Sequence, residues 1–164
     1  MPKERKPTRL KNFDYSSNGA YFVTICSKDR KCILSHIPVG QGLAPAENRL
    51  TEYGKITENQ LLALENRFKS IEINKYVIMP NHIHCITIIN NDTAGASPCP
   101  TLSDIICTFK SITTRLCNQT SHIGSVFQSS FYDHIIRDEN DYIKIWRYID
   151  NNPIKWELDK YYTT

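Results

Sequence analysis

At 164 residues and 19.0 kDa the chain is long enough for one domain with a sizeable core and too short for a second independent one, so residues 1–164 are read as a single domain. Composition is globular, 40% apolar and 23% charged, with no apolar run of membrane-spanning length and no basic n-region leading into an apolar stretch; a cytoplasmic protein with no membrane partner is expected. Net charge is only +3, but MPKERKPTRLK holds five basic residues, Lys3, Arg5, Lys6, Arg9 and Lys11, against one acidic. Residues 1–19 are therefore read as a basic arm that seeks phosphate, with a solvated tail as the bland alternative. Cys26, Cys32, Cys85, Cys99, Cys107 and Cys117 show no CxxC spacing, and reduced thiols are expected.

In chain order, AYFVTICS (Ala20 to Ser27) is rich in β-formers and reads as a first strand. TEYGKITENQLLALENRFKS spaces Tyr53, Ile56, Leu61, Leu64 and Phe68 for an amphipathic helix. IEINKYVIMP and HIHCITII then form a hairpin across Pro80-Asn81, a pair that cannot continue a ladder. Thr101, with Asp104 three residues on, opens a second helix carrying Leu102, Ile105, Ile106, Phe109, Ile112 and Leu116 on one stripe. VFQSSFYDHII reads as a fourth strand, and a third helix begins at Asp138 and is stopped by Pro153. The order is βαββαβ with a helix appended, which predicts an α+β, ferredoxin-like (RRM-like) antiparallel sheet with helices packed on it. Two stretches of Gly, Ala, Pro and small polar residues, 36–50 and 90–101, read as surface loops.

YVIMPNHIHCITII (Tyr76 to Ile89) raises the functional question, because it sets two histidines one residue apart in an apolar hairpin. Side chains alternate along a strand, so His82 and His84 share a face with Ile86 and Ile88, while Ile83, Cys85, Thr87 and Ile89 share the other. Both faces are then covered, with the histidines near the open end of a central strand. Cβ atoms about 6 to 7 Å apart let the pair converge on one metal ion. Alone the pattern is weak, and partly exposed histidines with local hydrogen bonds are the plainer alternative. On the third helix, at about 100° per residue, Tyr142, Ile145, Trp146 and Ile149 make an apolar stripe, and Asp141, Lys144, Tyr148 and Asn152 a polar one. Asn152 stands one turn after Tyr148, where its oxygen could complete a metal site; an amphipathic surface tyrosine is the alternative. Tyr132 is a rival, sharing a strand face with His134 as its possible base. For Lys110, Arg115, Arg137 and Lys144, phosphate contact and a solvated helix face both stay open.

YVIMPNHIHCITII, FYDHIIRDENDY and RYIDNNPIKWELD closely resemble the REP-associated tyrosine transposases, a branch of the single-tyrosine HUH nucleases that includes small insertion-sequence transposases. The likeness runs from RLKNFDYSSNGAYFVTIC almost to the C-terminus, and PNHIH followed by YIxxNP is a specific combination. The resemblance implies a ferredoxin-like fold and metal-dependent cleavage of single-stranded DNA beside a REP-like hairpin. It implies His82 and His84 as metal-binding histidines, Tyr148 as nucleophile and Asn152 as the third, polar ligand. A 5'-phosphotyrosine link and a free 3'-OH are the implied products, and the family position favours Tyr148 over Tyr132. Mixed nitrogen and oxygen ligands, with no cysteine on the histidine face, favour Mg2+ or Mn2+ over zinc. The chain would act as a monomer or homodimer, its basic arm gripping a hairpin stem. Cys85 and Cys107 stand where many relatives have glycine, and Phe127 where tryptophan is usual; these departures touch packing more than chemistry. A non-catalytic nucleic-acid-binding domain, or a phosphohydrolase using only water, are the competing functions.

The two loops carry a further expectation. QGLAPA (Gln41 to Ala46) can be encoded by CAGGGGCTCGCCCCTG, whose ends are mutually complementary, and the reverse complement in another frame encodes AGASPC (Ala94 to Cys99). One palindrome inserted in opposite orientations would account for both interruptions, and the codons decide it; Gly, Ala and Pro are also simply common in loops.

Overall fold

The computed structural model describes residues 13–39, 47–93 and 99–163. Lys3, Arg5, Lys6, Arg9 and Lys11, all of QGLAPA and Ala94 to Pro98 lie outside them. Strand β1 (Gly19–Cys26) buries Tyr21, Val23 and Ile25 on one face and Phe22 and Thr24 on the other. An uncharged aromatic and β-branched run suits a strand covered on both sides. The adjoining residues of the expected arm join the core, since Phe13 and Tyr15 pack edge-on to each other and against Tyr21.

A two-stranded ribbon, β2 (Ser35–His36) with β3 (Arg49–Leu50), follows. Helix α1 (Glu52–Leu62) is capped by Thr51, whose hydroxyl accepts from the Gly54 amide. The single helix expected here breaks at Ala63 into a short second piece, α2 (Leu64–Arg67), with Leu61 and Leu64 both buried across the break. Strands β4 (Ile71–Ile78) and β5 (His82–Ile89) form the expected hairpin, with a bulge between Ile73 and Lys75. Helix α3 (Leu102–Thr120) opens on the full capping box of Thr101 and Asp104. Its buried stripe is Leu102, Ile105, Ile106, Phe109, Thr113 and Cys117, with Ile112 and Leu116 only partly covered.

The fourth strand is shorter than its sequence reads. Strand β6 (Tyr132–Ile136) forms only the last part of VFQSSFYDHII, and Phe127 makes a lone bridge to Ser27. The carbonyls of Gln128, Ser129 and Ser130 turn instead to the Lys110 ammonium, at 2.8, 3.3 and 2.8 Å. Helix α4 (Glu139–Asn151) starts at Asp138, whose carboxylate accepts from the Asp141 amide, and ends at Asn152, before Pro153.

The four long strands lie in the order β4-β5-β1-β6 with every neighbour antiparallel, an α+β architecture. Helices α1 and α3 cover the face of Tyr21, Val23, Ile83 and Cys85. Helix α4 covers the other, where Phe22, Ile86 and Ile149 are joined by Tyr142, Ile145 and Trp146, the stripe expected from helical spacing. Among the described residues no helix is long and apolar enough to cross a membrane, and the six cysteines are free thiols.

Candidate active site at the histidine pair

Pairing of Thr24 with both His84 and Tyr132, and of Cys26 with His82, sets these side chains on the α4 face of the sheet. His82 and His84 are 0% and 1% exposed, so the plainer expectation of partly exposed strand histidines does not hold. The cover comes from α4 and from the segment after it, which puts the rings of Trp156 and Tyr161 6.0 and 4.6 Å from that of His82. Tyr148 keeps 41% of its surface exposed, yet its hydroxyl lies 3.3 Å from His84 Nε2, with the rings 5.1 Å apart.

Each imidazole is held from behind. His82 Nδ1 meets Asn81 Oδ1 at 2.9 Å, and His84 Nδ1 meets Thr24 Oγ1 at 2.8 Å. Asn81 is itself fixed, its amide donating to the Tyr161 carbonyl at 2.8 Å and the Arg30 carbonyl at 3.3 Å. A histidine that donates from Nδ1 turns the lone pair of Nε2 outward, here into the same small space. Asn152 donates to Asp159 Oδ2 at 2.6 Å, and that oxygen lies 3.8 Å from His82 Nε2. Nitrogen atoms of His82 and His84 and an oxygen of Asp159 all fall within 4.8 Å of one another. His82 Nε2 and Asn152 Oδ1 are buried with no hydrogen-bond donor. Buried acceptors that converge without a donor are an arrangement that could hold a cation between them.

Burial holds both imidazoles in the neutral, ligating form. It pushes His82 down to about 4, against the pull of Asp159, and His84 well below its ordinary value, helped by His82 and Lys160. The Tyr148 phenol moves the other way, up to about 12, through burial and then the negative charge of Asp159, with Asn152 opposing. It is a weak nucleophile as it stands and needs an activator.

No family profile matches the chain. An uncharacterized protein of Haemophilus influenzae is 35% identical over 173 residues, covering 96% of this chain and 93% of that one. A REP-associated tyrosine transposase of Escherichia coli is 25% identical over 142 residues, covering 86% of this chain and 70% of its own length. In sequence this chain is similar to the REP-associated tyrosine transposases. A solved structure of such a transposase bound to a REP hairpin superposes with a TM-score of 0.63, over 98% of this chain and 77% of that one, at 22% identity. That likeness supports a transposase role, that of a DNA-cleaving enzyme, at the level of the family.

The structure thus brings His82, His84, Tyr148 and Asn152 together. Tyr132, the rival, is 48% exposed at the sheet edge, and His134 is bonded to Asp141 at 2.8 Å instead of serving it. Lys110 has its three donors on carbonyls, and Arg115 and Arg137 are both exposed and do not line the pocket beside Tyr148. Lys144 lines that pocket. Sequence reasoning missed Asp159 and Tyr161, because the stretch after Pro153 has no periodicity from which a face can be assigned, and it missed Asn81, whose only signal is its place before His82.

Proposed function

We propose that this chain is a metal-dependent transposase that cleaves and rejoins single-stranded DNA beside a hairpin through Tyr148, on a ferredoxin-like domain, a reading that the strand order β4-β5-β1-β6 supports. The observation that carries the reading is the Tyr148 hydroxyl, 3.3 Å from a buried imidazole, beside acceptor atoms of His82, Asp159 and Asn152 that lack donors or crowd one another. His82, His84, Asn152 and Asp159 would hold the ion, and two nitrogen and two oxygen donors suit Mg2+ or Mn2+. When bound, the ion supplies positive charge to the scissile phosphate and to the departing oxygen.

The chain's own part is to hold and orient. Asn81 and Thr24 fix which nitrogen of each histidine faces the site. Tyr148 Oη forms the new bond to phosphorus, the bond from phosphorus to the 3' oxygen breaks with its electron pair on that oxygen, and the phenol's proton is balanced by the new 3'-OH. Bond energy is kept in a 5'-phosphotyrosine for later joining to another 3'-OH. A hairpin-bearing oligonucleotide with a single-stranded flank provides the test. With Mg2+ or Mn2+, wild type and Tyr132→Phe form a covalent adduct that survives denaturing electrophoresis, and Tyr148→Phe or EDTA abolishes it. Tyr148→Phe should alter stability by about 1 kcal/mol or less. An adduct formed by Tyr148→Phe, or in metal-free buffer, overturns the assignment.

A further inference from the structure

The pocket beside Tyr148 has a charge that the chemistry at the histidines does not require. It is about 450 Å³ in volume, lies between the polar face of α4 and the segment that follows, and is lined by Lys144, Arg147, Tyr148, Lys155, Asp159 and Lys160 among others. Four cations face one carboxylate, and that carboxylate is turned to Asn152 and His82. Among the described residues none of the four cations has an ion-pair partner. Two of the three acids on α4 are engaged elsewhere, Asp141 with His134 and Asp150 with Lys75, and Glu139 in its first turn does not line the pocket. Like charges gathered round one pocket repel, and the repulsion is relieved when a polyanion enters.

Their spacing is ordered. Lys144, Tyr148 and Asn151 recur at helical intervals, so the polar stripe runs about 10 Å along α4 with the tyrosine in its middle. Lys155 continues it in the turn after the helix, where its amide donates to the Asn151 carbonyl at 3.1 Å. Lys160 stands opposite, its ammonium 4.9 Å from the Tyr161 ring centre and 5.9 Å from that of Tyr132.

We infer that this pocket is the phosphate track of the substrate strand: one single-stranded DNA backbone crosses Tyr148 with Lys144 and Arg147 on one side and Lys155 and Lys160 on the other. The inference rests on the reading of Tyr148 as the nucleophile, for which the track would set the scissile phosphate over the hydroxyl. Contacts of this kind position a strand without reading its bases.

The test is the salt dependence of binding, in EDTA so that no cleavage intrudes. Fluorescence anisotropy of a labelled unstructured oligonucleotide gives the slope of log K against log salt for the full chain and for Lys144→Gln, Arg147→Gln, Lys155→Gln and Lys160→Gln, singly and together. Each cation neutralised should flatten the slope by about 0.7, and the four together by roughly 3. Lys144→Arg, Lys155→Arg and Lys160→Arg should keep the wild-type slope, which separates the loss of charge from a damaged fold, and Arg115→Gln on α3 should leave it unchanged. A quadruple variant with the wild-type slope overturns the track. Should that variant keep the slope while the wild type forms its Tyr148 adduct, the enzyme stands and the track falls. Should the slope flatten as expected while no adduct forms in the wild type, the strand path stands and the chemistry falls.

Discussion

Asn81 touches no substrate in the proposed reaction, yet its two ends do separate things. Its oxygen receives His82 Nδ1, and its amide ties the Tyr161 carbonyl, so it orients an imidazole and anchors the segment that carries Asp159. Asn81→Ala should therefore weaken binding of Mn2+ about 10- to 100-fold, the usual effect of removing a group that orients a ligand. Titration of the ion by its paramagnetic resonance signal measures this without catalysis. Unchanged affinity would show that the imidazole is held by packing against Trp156 and Tyr161 alone. The residue pattern made the pair legible, because alternation in β5 and helical spacing in α4 are strict geometric rules and they converge on one place. Depth was not legible: burial of His82 depends on the turn after Pro153, and no periodic rule governs that turn.

At the scale of elements, Gly54 decides how close α1 sits to the ribbon. A Cβ built there would lie 1.9 Å from the Leu34 carbonyl oxygen, a backbone atom that receives the Thr51 amide at 3.0 Å and cannot swing aside. Gly54→Ala should cost about 2 kcal/mol or more by overpacking, read as a lower midpoint in urea. The helix itself was legible from its apolar spacing, but this close approach was not, since glycine at a helix position says only that something is near. Capping made α3 and α4 the clearest elements, through Thr101 with Asp104 and through Asp138. The start of β6 misled because Val126 and Phe127 are buried without a ladder, and burial and strand share the same residues. Tyr76 joins β4 to α1 by donating to Glu58 at 2.9 Å, and burial with that carboxylate pushes its phenol up to about 12. A folded pKa above the unfolded value of about 10 means the stabilisation is complete below pH 10 and fades as pH rises toward 12. Tyr76→Phe should then be about 1 kcal/mol less stable than wild type near pH 8, with the difference narrowing above pH 10 in paired thermal melts. A gap that stays constant through pH 11 would detach that phenol from the effect.

At the scale of the whole molecule, the structure brings every part of the proposed centre from one chain. The Tyr148 hydroxyl reaches His84 Nε2 at 3.3 Å because α4 packs on the sheet that holds the histidine, with Phe22, Ile86 and Ile149 closed between them. Asp159 follows α4 within a few residues and reaches the same site, so the connection is too short to exchange α4 alone and leave its partners behind. A centre assembled from two copies would require α4 to leave this buried stripe, exposing Ile149 and the ring of Trp146 that Lys75 covers at 4.6 Å. The active unit is therefore expected to be a single chain acting in cis. Mixing Tyr148→Phe with His84→Ala, each inactive alone, should restore no covalent adduct at any ratio, and wild-type adduct formation per chain should be independent of protein concentration once DNA is saturating. Activity recovered in the mixture, near one quarter of that of the wild type for random pairing of two chains, would show that α4 crosses between copies. In that case Tyr148 of one chain would serve the histidines of the other, and the 3.3 Å approach to His84 would belong to a resting state.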